Sequence, residues 1–194
     1  MELDELRQRC ENCEGCNLYK TRTKVVFGQG NVASEIMFIG EGPGRNEDLT
    51  GQVFVGAAGQ LLDKMLNSIH LDRKEIYITN IVKCRPPKNR DPLEEEKKAC
   101  IGYLRGQFSL IKPKILVCLG RVAATTIIDN DFRITKQRGQ WYNRKGIWII
   151  ATYHPAALLR DPSKKKESWE DLKLIRQKYD KISKKETQGQ LDYQ

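Results

Sequence analysis

The sequence has few histidines and no long apolar run. Only two of its 194 residues are histidine, and no stretch approaches the roughly 18 apolar residues that a membrane-spanning helix needs. The N-terminal region also lacks the apolar segment of an export signal. We therefore expect a cytoplasmic protein with no membrane partner.

Six cysteines need an explanation in a compartment where disulfide frameworks are rare. Three of them form two overlapping C-x-x-C pairs near the N-terminus, but the others lie far apart, so a zinc ribbon with two close pairs is not indicated. Four thiolates from dispersed segments fit a [4Fe-4S] cluster at least as well. The candidate ligands are Cys13, Cys16, Cys84 and Cys100. Cys10 is an alternative to Cys13 or Cys16.

The chain is basic. Lys and Arg outnumber Asp and Glu by 34 to 25, which gives a formal charge of +9. This balance suits a nucleic-acid partner, although a merely soluble basic protein has it too. The length suffices for one substantial core and is short for two. We expect a single domain over residues 1–194, with a basic C-terminal helix and tail from about residue 163.

Apolar and β-branched segments predict four strands, at residues 36–39, 76–82, 114–119 and 147–151. Helical periodicity predicts helices at about 58–69, from Asp91 and Pro92 to about 111, and at 123–128. Strands that alternate with helices favour parallel crossovers. The predicted fold is α/β, a three-layer α/β/α sandwich with a central four-stranded parallel sheet.

The segment GEGPGRNED, residues 40–48, follows the first of these strands and combines glycines with carboxylates. Arg45 stands where a dinucleotide fingerprint needs its third glycine, and the Gly-Lys-Ser/Thr ending of a P-loop is absent. A glycine-rich turn after a strand needs no ligand. The clustered Glu41, Glu47 and Asp48 nevertheless favour a functional site at the carboxyl edge of the sheet, where Asn80 and His154 are also expected.

The segment HPAALLR, residues 154–160, follows the last predicted strand. We interpret it as a loop in which Leu158 and Leu159 form an apolar wedge and Arg160 contacts phosphate, as the opening of a base stack requires. The alternative is a short amphipathic helix packed on the core. Likewise, His154 is either a structural residue before a proline or, beside the glycine-rich segment, a residue of the active site.

These segments closely resemble the family 4 uracil-DNA glycosylases, the iron-sulfur branch of the uracil-DNA glycosylase superfamily. The likeness runs from about residue 13 to 160 and rests on NCEGC, GEGPGRNED, TNIVKCRPPKNR (79–90) and HPAALLR. It implies hydrolysis of the N-glycosidic bond of uracil in single- or double-stranded DNA, which leaves an abasic site for base-excision repair. A monomer in a prokaryotic-type, nucleoid-associated setting is the expected form.

The resemblance also implies roles for individual residues. Phe54 would stack on a flipped uracil, Asn80 would read its edge, and His154 would stabilise negative charge on uracil O2. Backbone N–H groups around Gly42 would assist.

Position 42 is a glycine, which has no side chain that could act as a base. The resemblance therefore implies that Glu41 or Glu47 orients the attacking water or offsets positive charge on the sugar. Glu47 is a further candidate for excluding thymine at C5, with support from Asn89.

In the family, the close pair of cluster ligands is the one in NCxxC, which assigns Cys13 and Cys16, with Cys84 and Cys100, to a [4Fe-4S] cluster and leaves Cys10 without a role. The cluster would be structural, and it would position Arg85 and Lys88 on DNA.

There are two alternatives to this function. One branch of the superfamily traps uracil-DNA covalently through a histidine before the fourth strand, but residues 134–142, ITKQRGQWY, contain none. The other alternative is a non-catalytic iron-sulfur DNA-binding accessory module.

Overall fold

A computed structural model describes the backbone of residues 2–191 and the side chains of residues 2–183. Its strands form one sheet in the order β1-β3-β2-β4-β6-β5. They are β1 (Gln29–Gly30), β2 (Ile36–Gly40), β3 (Tyr77–Asn80), β4 (Ile115–Leu119), β5 (Tyr142–Arg144) and β6 (Ile147–Thr152).

The four predicted strands form the centre of this sheet, where β3, β2, β4 and β6 pair in parallel. The prediction of a four-stranded sheet is wrong in number, because the sheet has six strands. β1 and β5 pair antiparallel at its two edges. Both are short and half-exposed, so neither has the apolar run by which the central strands were recognised.

The described residues include eight α-helices: α1 (Leu3–Glu11), α2 (Arg45–Thr50), α3 (Ala57–Ser68), α4 (Glu94–Ile111), α5 (Arg121–Ile127), α6 (Ile134–Gln137), α7 (Pro155–Arg160) and α8 (Lys165–Leu191). Three short 3-10 helices, Asn17–Lys20, Pro87–Asn89 and Pro162–Lys164, connect them. Residues 192–194 of the expected tail lie outside the described part.

The start of α4 differs from the prediction. Asp91 and Pro92 do not begin the helix, since its first residue is Glu94. The Glu96 carboxylate accepts the Leu93 N–H at 2.8 Å and pairs with Arg90 at 2.6 Å, so it satisfies an N–H group at the helix start. Asp91 instead forms an ion pair with Arg121.

Alternating side chains of the central strands fill two cores. Along β2, Ile36 and Phe38 belong to one cluster, which includes residues of α3, α7 and α8. Met37 and Ile39 belong to the other, which includes residues of α4 and α5. Helices therefore cover both faces, as the predicted three-layer arrangement requires. No helix within residues 2–191 has the length and apolar character needed to cross a membrane.

The strand register places the predicted site residues side by side. Gly40 is paired with Asn80 across β2 and β3, and Leu119 is paired with Thr152 across β4 and β6. Gly120 and His154 thus follow the ends of neighbouring strands. All of these positions lie at the carboxyl edge of the sheet, where open α/β folds bind ligands.

Candidate active site

An open cleft lies at this carboxyl edge of the sheet. Segments distant in sequence converge there: the glycine-rich loop after β2, the segment before α3, the end of β3, and the start of α7. Predicted site residues in its lining are Glu41, Gly42, Glu47, Phe54, Asn80, Asn89, His154 and Arg160. Phe54, Asn80 and His154 therefore face one common cavity.

Asn80 presents an unsatisfied acceptor to the cleft. Its side chain is buried, with 1% of its surface exposed, and its Oδ1 has no hydrogen-bond partner among the described residues. Gly40 leaves the space that this oxygen and the Phe54 ring occupy, because a Cβ there would overlap Asn80 Oδ1 and lie 2.7 Å from Phe54 Cζ. A buried acceptor without a donor is costly, so a ligand that donates to Oδ1 would remove that cost.

Phe54 forms a wall of the cleft in a left-handed backbone conformation. Its φ is +51°, which costs about 1–2 kcal/mol in a non-glycine residue. Arg73 holds this turn, since its Nη1 donates to Phe54 O at 3.0 Å and its Nη2 donates to Val53 O. Asp63 in turn pairs with Arg73 at 2.9 Å. Nothing in the sequence pattern around Arg73 indicates this contact.

His154 lies between β6 and α7, and its ring centroid is 5.6 Å from that of Phe54. The Ala156 N–H donates to His154 Nδ1 at 3.1 Å. Burial lowers the pKa of His154 to about 4, and the Arg160 charge acts in the same direction. The imidazole is thus neutral at pH 7. Because Nδ1 accepts, the ring proton is on Nε2, which is left to donate.

The two residues before His154 are hydrogen-bonded to carboxylates of α8. Thr152 Oγ1 donates to Asp171 at 2.6 Å, and Tyr153 Oη donates to Glu167 at 2.9 Å. Arg138 bridges these carboxylates, with 2.8 Å to Glu167 and 2.5 Å to Asp171. No local sequence pattern indicates this network, because its members come from three separated segments.

Glu47 connects two parts of the site. Its Oε1 accepts the N–H groups of Val55 at 2.9 Å and Gly56 at 2.8 Å, and its Oε2 accepts the Gly44 N–H at 3.1 Å. Both oxygens are therefore engaged with the backbone, and the carboxylate holds the glycine-rich loop against the segment after Phe54.

Asn89, the expected support of Glu47, forms no hydrogen bond with it among the described side chains. Asn89 Oδ1 accepts from Arg85 Nε at 2.7 Å instead. The two consecutive left-handed residues Lys88 and Asn89, with φ values of 54° and 55°, shape this turn.

Glu41 is the carboxylate that stays free in the cleft, since no hydrogen bond to it occurs among the described side chains. Burial raises the pKa of Glu41 to about 7, and nearby Asp91 acts in the same direction against Arg121 and Arg160. A carboxyl group that titrates near neutral pH is suited to accept a proton from water.

Residues 155–160 form helix α7, so their interpretation as a loop is wrong and the alternative of a short helix packed on the core is right. Leu158 is buried, with 1% exposed, and belongs to the core cluster, so it is not available as a surface wedge in this conformation. Leu159 is 46% exposed, and Arg160 is exposed at the cleft. Lys88 is exposed and Arg85 half-buried, and neither lines the cleft, although their neighbours Pro86 and Asn89 do.

The candidate ligands gather at a second, mostly apolar cavity, which Cys10, Cys13, Cys16, Cys84 and Cys100 line together. All six cysteines are free. N–H groups are directed at three sulfurs: those of Gly15 to Cys13 at 3.4 Å, Lys83 to Cys100 at 3.3 Å and Arg22 to Cys84 at 3.4 Å. Such donors favour thiolates.

The electrostatics of this cavity depend on what it holds. Burial raises the pKa of Cys100 to about 11, and it also raises the pKa of Cys84 and of Cys16. Without a bound cationic centre, these thiols stay protonated at pH 7. No group of three or more His, Cys, Asp or Glu side chains within residues 2–183 is arranged to hold a single metal ion.

Comparisons with known proteins agree on one family. The model of the Uracil DNA glycosylase superfamily matches residues 27–173. The chain is 48% identical to a type-4 uracil-DNA glycosylase of Archaeoglobus fulgidus, over 89% of this chain and 91% of that protein. It is 47% identical to one of Sulfurisphaera tokodaii, over 90% and 84% of the two chains, and 43% identical to one of Thermotoga maritima, over 83% and 85%.

Proposed function

Because this chain belongs to the uracil DNA glycosylase superfamily, we propose that it hydrolyses the N-glycosidic bond of uracil in DNA. The products are free uracil and an abasic site, which base-excision repair then processes. The observation that carries this function is the unpaired Asn80 Oδ1 in one cleft with Phe54 and His154. We further propose that the chain acts as a single-domain monomer on single- and double-stranded DNA of a prokaryotic cytoplasm, in association with the nucleoid.

Uracil recognition is assigned to Asn80. Its Oδ1 accepts the N3–H of a uracil that has been flipped from the stack, and its Nδ2 donates to O4. Cytosine presents an acceptor at N3 and a donor at N4, so both groups of the amide would be mismatched. Leaving buried polar groups unpaired costs about 1–3 kcal/mol each. Phe54 contributes the apolar face on which the ring stacks.

Bond cleavage is assigned to charge stabilisation by His154. As the N-glycosidic bond breaks, its electron pair moves onto the uracil ring and O2 becomes negative. Nε2–H of the neutral imidazole donates to O2. The orientation of the ring is set by the hydrogen bond that the Ala156 N–H donates to Nδ1. The backbone N–H groups around Gly42 are further donors at the same edge of the cleft.

Water activation is assigned to Glu41 rather than Glu47. Glu41 is free in the cleft and has a pKa raised to about 7 by burial, whereas Glu47 already accepts three backbone N–H groups. The Glu41 carboxylate accepts a proton from the water that attacks C1′ of the sugar, and its charge offsets the oxocarbenium ion. Glu47 supports catalysis indirectly, because it fixes the loop that carries Glu41.

Contact with DNA is assigned to the rim of the cleft. Leu159 supplies an exposed apolar side chain beside the charge of Arg160. Arg85 and Lys88 supply positive charge on the other side, where phosphate contacts give affinity without sequence specificity. We propose that Leu159 alone, and not Leu158, enters the space that the flipped base leaves.

We propose that Cys13, Cys16, Cys84 and Cys100 hold a [4Fe-4S] cluster. The apolar cavity and the three N–H donors at sulfur support it. When bound, the cluster supplies a structural cross-link between the N-terminal segment, the loop after β3 and α4. Cys10 lines the same cavity and has no assigned role.

The decisive experiment is treatment of a uracil-containing oligonucleotide with the purified protein and then with alkali. Strand breaks at uracil, and none in a thymine control, are expected for an enzyme, because alkali cleaves at abasic sites. Binding without breaks would instead identify the non-catalytic accessory module. An absorbance band near 400 nm, at roughly the energy of thiolate-to-iron charge transfer, tests the cluster in the same sample.

A further inference from the structure

Lys83 is a fully buried lysine between the cysteine cavity and Asn80. Its exposed fraction is 0%. Its Nζ lies 2.5 Å from Thr79 Oγ1, 2.7 Å from Asn80 O and 2.8 Å from Gln107 Oε1. Thr79 Oγ1 uses its own hydrogen toward Phe27 O, at 2.9 Å, or toward Gln107 Oε1, at 3.1 Å. All three partners can accept a hydrogen bond, an arrangement that the three N–H groups of an ammonium satisfy in full.

The three acceptors are neutral, and the described residues offer Lys83 no carboxylate. Gln107 is held in place, since its Nε2 donates to Phe27 O at 2.8 Å and to Tyr77 Oη at 3.1 Å. A buried ammonium without a counter-charge is strongly unfavourable. The compensating charge must therefore come from the other side of Lys83.

That other side is the cysteine cavity. Lys83 lines it, and its backbone N–H donates to Cys100 Sγ at 3.3 Å. An iron-sulfur cluster together with its thiolate ligands has a net negative charge. Lys83 thus contacts one residue of each site. Its backbone N–H contacts Cys100, and its side chain contacts Asn80.

We propose that Lys83 is a positioning residue that couples the cysteine site to uracil recognition. Its ammonium balances the net negative charge of the cluster together with its thiolate ligands, and its hydrogen bond to Asn80 O fixes the end of β3, from which the Asn80 amide projects into the cleft. The inference rests on the proposed function. It predicts that loss of the buried charge disturbs the cluster and the binding of uracil together.

The test compares Lys83→Met with Lys98→Met in the purified full-length holoprotein. Methionine keeps the length of the lysine chain without charge or donors. Lys98 is exposed on α4, two residues from Cys100, so its replacement removes a positive charge that solvent screens from the cluster, without loss of a buried contact. The readouts are the lifetime of the 400 nm band in air with a chelator, the reduction potential, inhibition by free uracil, and KM separately from kcat.

In Lys83→Met we expect the band to decay at least about fivefold faster and the reduction potential to become more negative, because a positive charge next to the cluster is gone. The inhibition constant of free uracil and KM should each rise at least about fivefold, with a smaller change in kcat, because one hydrogen bond that fixes Asn80 is lost. Lys98→Met should match the wild type in all four readouts.

Thr79→Val is the second variant, since it removes one acceptor of Lys83 and keeps the ammonium. We expect the lifetime of its 400 nm band to match the wild type and free uracil to inhibit it less strongly. Because this variant keeps Lys83, it tests the positioning of Asn80 even if Lys83→Met does not fold. Unchanged uracil inhibition in Thr79→Val would overturn the coupling. A folded Lys83→Met with either the cluster or uracil binding unaffected would overturn it as well.

These outcomes are distinct from failure of the proposed function. If the wild type neither cleaves uracil-DNA nor shows the 400 nm band, the function itself is refuted. If the wild type does both and the Lys83→Met protein behaves identically, only the coupling is refuted.

Discussion

The backbone N–H of Ala156 donates to His154 Nδ1 at 3.1 Å, and this bond fixes the tautomer of the imidazole. Since helix α7 begins directly after His154, the N–H is one of those that have no partner within the helix. The same contact that caps the helix therefore leaves Nε2–H as the donor in the cleft. A neutral donor is present at all pH values well above about 4, the pKa to which burial lowers His154.

Replacement of His154 by alanine should remove most of the turnover. Removal of one donor to a developing oxyanion typically lowers kcat by about 100–1000-fold, and the imidazole has that place here. The measurement is single-turnover excision from a uracil oligonucleotide. His70→Asn is the matched control, because His70 is the other histidine, is exposed and has a left-handed φ that asparagine tolerates. Wild-type rates in His154→Ala would refute the role.

The pH dependence of kcat should report Glu41. With a pKa of about 7, the carboxyl is protonated and inactive below neutral pH and ionised above it, so kcat should rise through pH 7 to a plateau. His154 contributes no change in this range, since its pKa is about 4. Glu41→Gln should lower the plateau by about 100-fold or more and remove the rising limb. A limb that persists in Glu41→Gln would assign it to another group.

Asn80→Asp should relax the selectivity for uracil. A carboxylate accepts from the N4 amino group of cytosine and has no N–H to give to uracil O4. We expect kcat/KM on uracil to fall by about 10–100-fold, the equivalent of about 1–3 kcal/mol for an unmatched buried group. Excision from oligonucleotides with uracil or cytosine at one position measures the ratio. An unchanged ratio would show that another residue reads the base.

The centre of the fold could be predicted from the sequence because short, contiguous residue patterns determine its strands. Each central strand lies in an apolar or β-branched segment, and the ends of these segments placed Asn80 and His154 on one edge. The edge strands β1 and β5 escaped because they are short and their pattern is polar. Pairing with a neighbour, which the sequence does not display, is what makes them strands.

The site was predicted in composition but not in its hydrogen bonds. The motifs brought Glu41, Glu47 and Asn89 to the cleft, yet which carboxylate stays free depends on backbone N–H groups eight and nine residues away from Glu47. Leu158 faces the core and Leu159 faces outward because α7 is helical there, whereas a loop interpretation made them equivalent. Long-range contacts of this kind have no local pattern.

Arg73→Ala should weaken substrate binding more than it slows bond cleavage. Its guanidinium holds the oxygens of Val53 and Phe54, and without it the left-handed turn of Phe54 has lost its clamp. We expect KM to rise about 5–30-fold, consistent with the loss of about 1–2 kcal/mol, with kcat within about threefold of the wild type. Asp63→Asn keeps both bonds to the backbone and should have the smaller effect. A normal KM in Arg73→Ala would show that the turn is self-supporting.

Cys84→Ala should lose the 400 nm band, and with it the arrangement of Arg85 and Lys88 beside the cleft. Cys84 is adjacent to Arg85 and lies on the segment that the proposed cluster ties to α4 and to the N-terminal cysteines. Cys118→Ala is the matched control, because Cys118 is also buried but lies in β4, away from the cavity. It should keep the band and bind DNA normally.

For Cys84→Ala we expect weaker DNA binding with a smaller salt dependence, since each lost phosphate contact lowers the salt slope by about one. A folded, colourless Cys84→Ala protein that binds DNA as the wild type does would contradict the positioning of these two basic residues by the cluster, and would confine it to stabilising the fold.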